Sequence, residues 1–244
     1  MRTEVPLIAA SLSGVADRTW ARRLAPLVSR AMLGGIAVDP HTRAAAEALR
    51  ARGRAEFLPP DPLVWAARMT RAPRPVPMGL NIRARSAAAV RAVAGAVDTE
   101  AVWVELNAHC RQPEMCAAGA GEQLLREHGR LAELTEVGAS CGATMGVKVR
   151  AEVPGVELVS VARTVEAAGG AFIHLDAMDD PTAVARVAAE TELEVIANNG
   201  IRTRADVVRA RDAGAAAVSV GRPSTDPTAV AQIATACAAA PPRP

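Results

Sequence analysis

Eight times along this chain a short, mostly apolar run gives way to an Ala-rich segment whose apolar residues recur with helical period. The runs are Pro6–Ala10, Gly35–Val38, Val76–Ile82, Ala101–Asn107, Thr144–Val149, Ala171–Asp176, Glu194–Asn198 and Ala216–Val220. Each is bounded by turn residues and reads as a strand buried on both faces. Between them the pattern predicts helices over Arg18–Met32, His41–Arg52, Pro62–Arg71, Ala87–Gly95, Gly121–Val137, Val156–Ala168, Pro181–Thr191, Arg204–Ala213 and Pro227–Ala239. Asp17, Asp39-Pro40, Ser86 and Thr203 stand where such helices should start, and Gly169-Gly170 and Gly214 where they should stop. Eight strand–helix units, with one extra helix after the second, predict an α/β fold, a (β/α)8 TIM barrel, and 244 residues suit it. A doubly wound sheet is the alternative, because a strand count does not show closure. One domain is expected over residues 1–244, its core about 5–238, with Pro241–Pro244 a frayed end.

Composition excludes several classes. Half the residues are apolar and 22% charged, too greasy a chain for intrinsic disorder. No run approaches the ~20 apolar residues of a membrane span, so no membrane partner is expected. The first residues carry no secretory h-region. Cys110, Cys116, Cys141 and Cys237 have no disulfide-like spacing, which suggests a reducing, cytoplasmic setting. A net charge of +2 is too small to imply nucleic acid by itself. Among 28 Lys+Arg there is one lysine, Lys148. Where almost every cation is Arg, a surviving Lys reads either as a place that needs a compact, titratable ammonium or as a stray codon on a solvated face.

A barrel places its chemistry at the C-terminal ends of its strands. Those ends read Ala10-Ser11, Asn81, Glu105–Cys110, Lys148–Arg150, His174–Asp176, Asn198-Asn199-Gly200 and Gly221-Arg222. The last two form small-residue turns that open helices, and in barrels this pair of loops commonly holds phosphate on backbone N–H groups. Arg222 could add a bidentate clamp. Strand alternation points Lys148 and Arg150 the same way, towards the mouth. His174 ends the next strand. Cys110, beside Arg111 on a polar loop, is placed for proton transfer or nucleophilic attack. His109, Cys110 and Cys116 match no standard zinc spacing and supply only three ligands, so no metal is expected.

Together these segments resemble the tRNA-dihydrouridine synthases, FMN-dependent (β/α)8 enzymes. Ile8–Arg22 resembles that family's opening Ala-Pro-Met-x-Gly-Val-Thr-Asp-x-x-Phe-Arg, and Asn107-Ala108-His109-Cys110 its Asn-x-Gly-Cys-Pro. Val147-Lys148-Val149-Arg150 is similar to its Val-Lys-x-Arg. Val195–Ile201 resembles its Val-Ile-x-Asn-Gly-x-Ile, and Gly221-Arg222 its last Gly-Arg. The resemblance implies FMN, reduced by NADPH or NADH, delivering hydride from N5 to C6 of a uracil while Cys110 protonates C5. It implies that Asn107 holds the base or flavin, and that Lys148 lies against the flavin ring with His174 nearby. Ser11 and Leu12 would back the ring, and Asn81 stands where the family has Gln. Asn198, Asn199, Gly200, Gly221 and Arg222 would bind the phosphate. His109, Arg111 and Arg150 are candidate substrate contacts.

The chain departs from the family at Ser11, at the His109-Cys110-Arg111 loop and at Asn199. It shows no C-terminal helical domain, no basic cluster and no aromatic stacking run for RNA. The FMN barrel is therefore better supported than a tRNA or other uracil-containing substrate, which a separate RNA-binding partner could help to hold. Two alternatives stay open: a flavin enzyme on a free small molecule, as in dihydroorotate dehydrogenases, and a barrel that binds FMN or another phosphorylated ligand without catalysis. Oligomeric state is not legible.

Overall fold

The computed structural model describes residues 4–177, 180 and 182–240, so Pro241–Pro244 and the predicted helix start Pro181 lie outside the described residues. Eight parallel strands close into a barrel in chain order. They are β1 (Leu7–Ala9), β2 (Arg30–Ala37), β3 (Met78–Arg83), β4 (Val102–Asn107), β5 (Met145–Arg150), β6 (Phe172–Asp176), β7 (Glu194–Asn198) and β8 (Ala217–Val220). Closure rests on β1 pairing with β8 as well as β2, in register Leu7↔Val218 and Ala9↔Val220. The doubly wound alternative is thereby replaced by a closed (β/α)8 barrel. No helix among the described residues is long and apolar enough to cross a membrane.

The helices are α1 (Arg18–Leu24), α2 (Pro40–Ala51), α3 (Pro62–Thr70), α4 (Ala87–Ala96), α5 (Pro113–Ala117), α6 (His128–Ser140), α7 (Leu158–Ala167), α8 (Ala183–Glu190), α9 (Arg204–Asp212) and α10 (Pro227–Ala238). The expected caps are made. Asp17 accepts from Trp20 N–H and Ser86 from Ala89 N–H, while Asp39 and Thr203 each close a capping box. As expected, α3 is the extra helix of the second unit.

Three expectations need correction. The first helix ends at Leu24 rather than Met32. Pro26 cannot donate to the helical ladder, and Arg30–Leu33 begin β2, which is longer than expected. The single helix expected over Gly121–Val137 is two: a 3-10 turn at Gly121–Arg126, then α6, separated at Glu127. The short α5 is an addition, with Pro113 at its first turn.

Strand alternation sorts the side chains into two cores. Outward residues such as Leu80, Leu106, Val147, Leu175 and Val218 pack under the helices in one large apolar cluster. The barrel's own interior holds only a small apolar plug of Ile8, Met32, Phe172, Ile196 and Ala217, joined by Trp103. Trp103 stacks on Phe172 at 4.7 Å, with the Arg30 guanidinium 3.7 Å from the Trp103 ring. Glycine makes room for this floor. A side chain at Gly146 would run into the Phe172 ring, and one at Gly79 into Met32. Above the floor the inward residues turn polar, which positions the site.

Candidate functional site

Two steps along each strand from the floor, the inward positions are Asn81, Glu105, Lys148, His174, Asn198 and Ser219. All six are buried. Four of them and Asn107 are joined to Glu105 in one hydrogen-bonded chain. Asn107 Nδ2 donates to Asn81 Oδ1 at 3.0 Å, and Asn81 Nδ2 to Glu105 Oε1 at 2.6 Å. His174 Nδ1 lies 2.6 Å from Glu105 Oε2, and His174 Nε2 lies 2.7 Å from Ser219 Oγ. Asn198 Nδ2 donates to Ser219 Oγ at 2.7 Å.

The Ser219–His174–Glu105 spacing is that of a Ser–His–carboxylate triad. Ser219 and His174 have no exposed surface, however, and the hydroxyl and both ring nitrogens are taken up inside the network. The arrangement is a buried relay. Burial, then the Lys148 charge, holds His174 below the ordinary imidazole value against the pull of Glu105. Burial opposes ionisation of Glu105, but His174, Lys148 and Asn81 together hold its carboxyl below the usual range. Both directions describe a carboxylate accepting from a neutral imidazole.

Lys148 is only 4% exposed. Burial lowers its affinity for a proton, while Glu105 and Asp176 oppose that. Among the described residues its ammonium makes neither a hydrogen bond nor an ion pair within 4 Å. A buried ammonium without a partner is costly unless something else meets it.

At the rim a second network centres on Asp176. Its carboxylate takes His109 Nε2 at 2.7 Å and Asn199 Nδ2 at 2.5 Å, with Arg150 Nη1 at 3.7 Å. Burial resists its ionisation, yet His109, Asn199 and Arg150 hold it well below the usual carboxylate range. Arg150 also faces Glu122 at 3.9 Å. On the other side of the mouth Arg83 is buried, with its Nη atoms on Glu56 and Ser13, each at 2.5 Å, and its Nε unpartnered among the described residues.

The loops after β7 and β8 line a cleft of about 360 Å³ with Asn199, Gly200, Ile201, Arg202, Gly221 and Arg222 among its walls. Asn199 has φ 71° and Gly200 φ 69°, so two successive left-handed residues shape the turn. A Cβ at Gly200 would meet nothing within 4 Å, and one at Gly221 only Leu12 Cδ2 at 4.0 Å. Leu12 thus borders the cleft, and Ser11 beside it is half-buried. Arg202 and Arg222 are both exposed.

The expected site residues therefore divide. Lys148, His174, Asn81, Asn107 and Asn198 come together inside the mouth. His109, Arg150 and Asn199 meet at Asp176. Gly200, Gly221, Arg222, Ser11 and Leu12 frame the cleft. Arg111 is exposed and stands apart. The backbone N–H of Cys110 is pinned by Asn107 Oδ1 at 2.9 Å, while its half-buried side chain packs against Ala45, Leu49, Met115 and Ala120. Cys116 Sγ donates to Cys110 O at 3.5 Å. Sequence reasoning gave no role to Glu105, Ser219, Asp176 or Arg83. The signal was present, since each lies two residues from an inward polar position or the mouth glycine, on the same strand face.

No protein-family model and no curated protein matches this chain. Solved structures do. A FabK mutant from Thermotoga maritima aligns at 20% identity and TM-score 0.53, over 90% of this chain and 62% of that one. A mutant tryptophan synthase alpha-subunit from the hyperthermophile Pyrococcus furiosus aligns at 15% identity and TM-score 0.61, over 97% of this chain and 98% of that one. This chain thus spans less than two thirds of the FabK chain. Such likenesses establish the barrel fold alone.

Proposed function

We propose that this barrel is a flavin-dependent oxidoreductase that holds FMN and reduces the C5=C6 bond of a uracil base. The observation that carries the reading is Lys148: a buried ammonium at the mouth that no described residue pairs. An anionic, planar ligand ring would meet that charge, and the adjoining cleft suits the same ligand's phosphate. Gly200 and Gly221 leave the space a phosphate needs, backbone N–H groups and the Arg202 and Arg222 guanidiniums would hold it, and Leu12 would back the ring. The residues present therefore fit the group.

When bound, FMN would supply hydride chemistry at C6, with NADPH or NADH as its reductant. The chain's part is to orient the base, shield it from water and supply the C5 proton. Cys110 is the proposed acid. That role requires its loop, hinged where Asn107 pins it, to turn the thiol from the Ala45–Met115 cluster towards the mouth. His109 and Arg150, held at Asp176, and Arg111 are the proposed base or phosphate contacts. His174 has both ring nitrogens engaged, so it acts through Ser219 and Glu105 rather than by direct contact. RNA as the carrier of the uracil, a separate RNA-binding partner and a cytoplasmic setting belong to the same proposal.

The test is spectroscopic first. Purified protein incubated with FMN should show a bound-flavin spectrum, and protein that stays colourless sinks the reading. Cys110→Ala should then keep the spectrum and abolish formation of dihydrouridine in tRNA. If tRNA from cells lacking the gene keeps its dihydrouridine, the substrate is a small molecule instead.

A further inference from the structure

Glu105 and His174 belong to β4 and β6, which do not pair; β5 runs between them. Their side chains nonetheless meet at 2.6 Å. They meet across β5 at the level of Gly146 and Lys148, the respective register partners of Glu105 and His174. Lys148 therefore rises beside a buried carboxylate.

The proton positions on this relay follow from its donors. Asn198 Nδ2 donates to Ser219 Oγ, so the hydroxyl hydrogen is free to point elsewhere. Its choices are His174 Nε2 at 2.7 Å and Ala197 O at 3.4 Å, and the shorter wins. His174 Nε2 then accepts, and Nδ1 carries the ring proton to Glu105. Asn81 also donates to that carboxylate. Glu105 is thus an ion whose hydrogen-bond partners are both neutral.

Four titratable groups act on Lys148 electrostatically: Glu105 from β4, His174 and Asp176 from β6, and His109 from the loop after β4; Arg150 follows two residues on along the same strand face. Of the two carboxylates, Asp176 is already met by His109, Asn199 and Arg150. Only Glu105 has its charge uncommitted.

We propose that Glu105 is the positioning residue of the mouth: its buried carboxylate keeps the Lys148 ammonium charged and, through His174 and Ser219, fixes Asn198 at the head of the Asn199–Gly200 turn. One buried charge thereby sets both anchors, the cation and the cleft. The inference rests on the flavin reading only for what sits on Lys148.

The chain's single lysine makes the test direct. Protein grown with 13C,15N-lysine gives one side-chain signal, whose titration is followed by NMR with no ligand present. Glu105→Gln should lower the Lys148 midpoint by one pH unit or more, a tenfold loss of proton affinity. Asp176→Asn should lower it by less. An unchanged midpoint in Glu105→Gln, or a larger drop in Asp176→Asn, overturns the proposal. Should Glu105→Gln fail to fold, the wild-type ring 15N signals of His174 decide. A neutral ring protonated at Nδ1 near pH 7 is expected, and an imidazolium or an Nε2–H tautomer overturns it. A protein that never binds flavin can still pass this titration, and one that binds it can fail, so the two ideas stand or fall separately.

Discussion

Replacing Lys148 by Arg keeps the charge and changes its shape. The site buries a compact ammonium that feels the charges of Glu105 and Asp176, with Asn107 and His174 as its register neighbours. A planar, five-donor fork cannot occupy that space with the same single point of charge. Lys148→Arg should weaken FMN binding by tenfold or more, about 1.4 kcal/mol, while leaving the fold intact. Equal affinity, measured by flavin fluorescence, would show that the lone lysine is incidental to the ligand. Asn107 works differently: its amide spans Asn81 on one side and the His109 and Cys110 N–H groups on the other. It ties the interior relay to the loop carrying the proposed acid. The rarity of Lys148 was visible in composition and its strand end in the pattern. Its lack of a protein partner was not, because partners come from strands far apart in sequence.

Among the elements, β2 departs most from a plain strand. Its register with β3 shifts between Gly34 and Ile36. Gly34 has φ 97°, and a Cβ there would stand 2.4 Å from the Asn81 carbonyl oxygen. At Gly35 a Cβ would lie 2.5 Å from Asn81 Oδ1. That amide cannot swing aside, since Asn107 and Glu105 hold it at both ends. Gly35→Ala should therefore cost about 1–3 kcal/mol, the range for forcing extra volume into a packed site, and should weaken flavin binding as well. Urea unfolding measures the first effect, and stability unchanged within a few tenths of a kcal/mol would mean the Asn81 amide is not fixed. The sequence pattern starts the strand at Gly35, whereas both glycines lie inside β2 (Arg30–Ala37), and their purpose was not legible. What a glycine makes room for is a side chain of the neighbouring strand, placed by register alone.

For the whole molecule, the buried relay carries a pH dependence. In the unfolded chain His174 takes up a proton near its ordinary value of about 6.5. In the folded state burial and Lys148 hold it below that. As pH falls from 7, the unfolded state binds more protons, so stability falls. Asp176 and Glu105, both held below the usual carboxylate range, add to the loss at lower pH still. Unfolding free energy from urea titrations should be smaller at pH 5 than at pH 7; a flat or opposite trend would mean that His174 is charged in the fold. Strand order, caps, the eightfold unit and the polar strand ends were fixed locally, by period, turn residues and capping side chains, and so were determined by the sequence. Tertiary structure decided the closure of β1 on β8, the choice of Glu105 as the relay's centre, the pairing of His109 with Asp176 and the packing of Cys110 beside Met115. The packing of Cys110 depends on where the loop after β4 meets α2; the other three depend on the stagger between strands as the barrel closes. That stagger brings together residues more than 200 positions apart, such as Leu7 and Val218, and no local pattern records it.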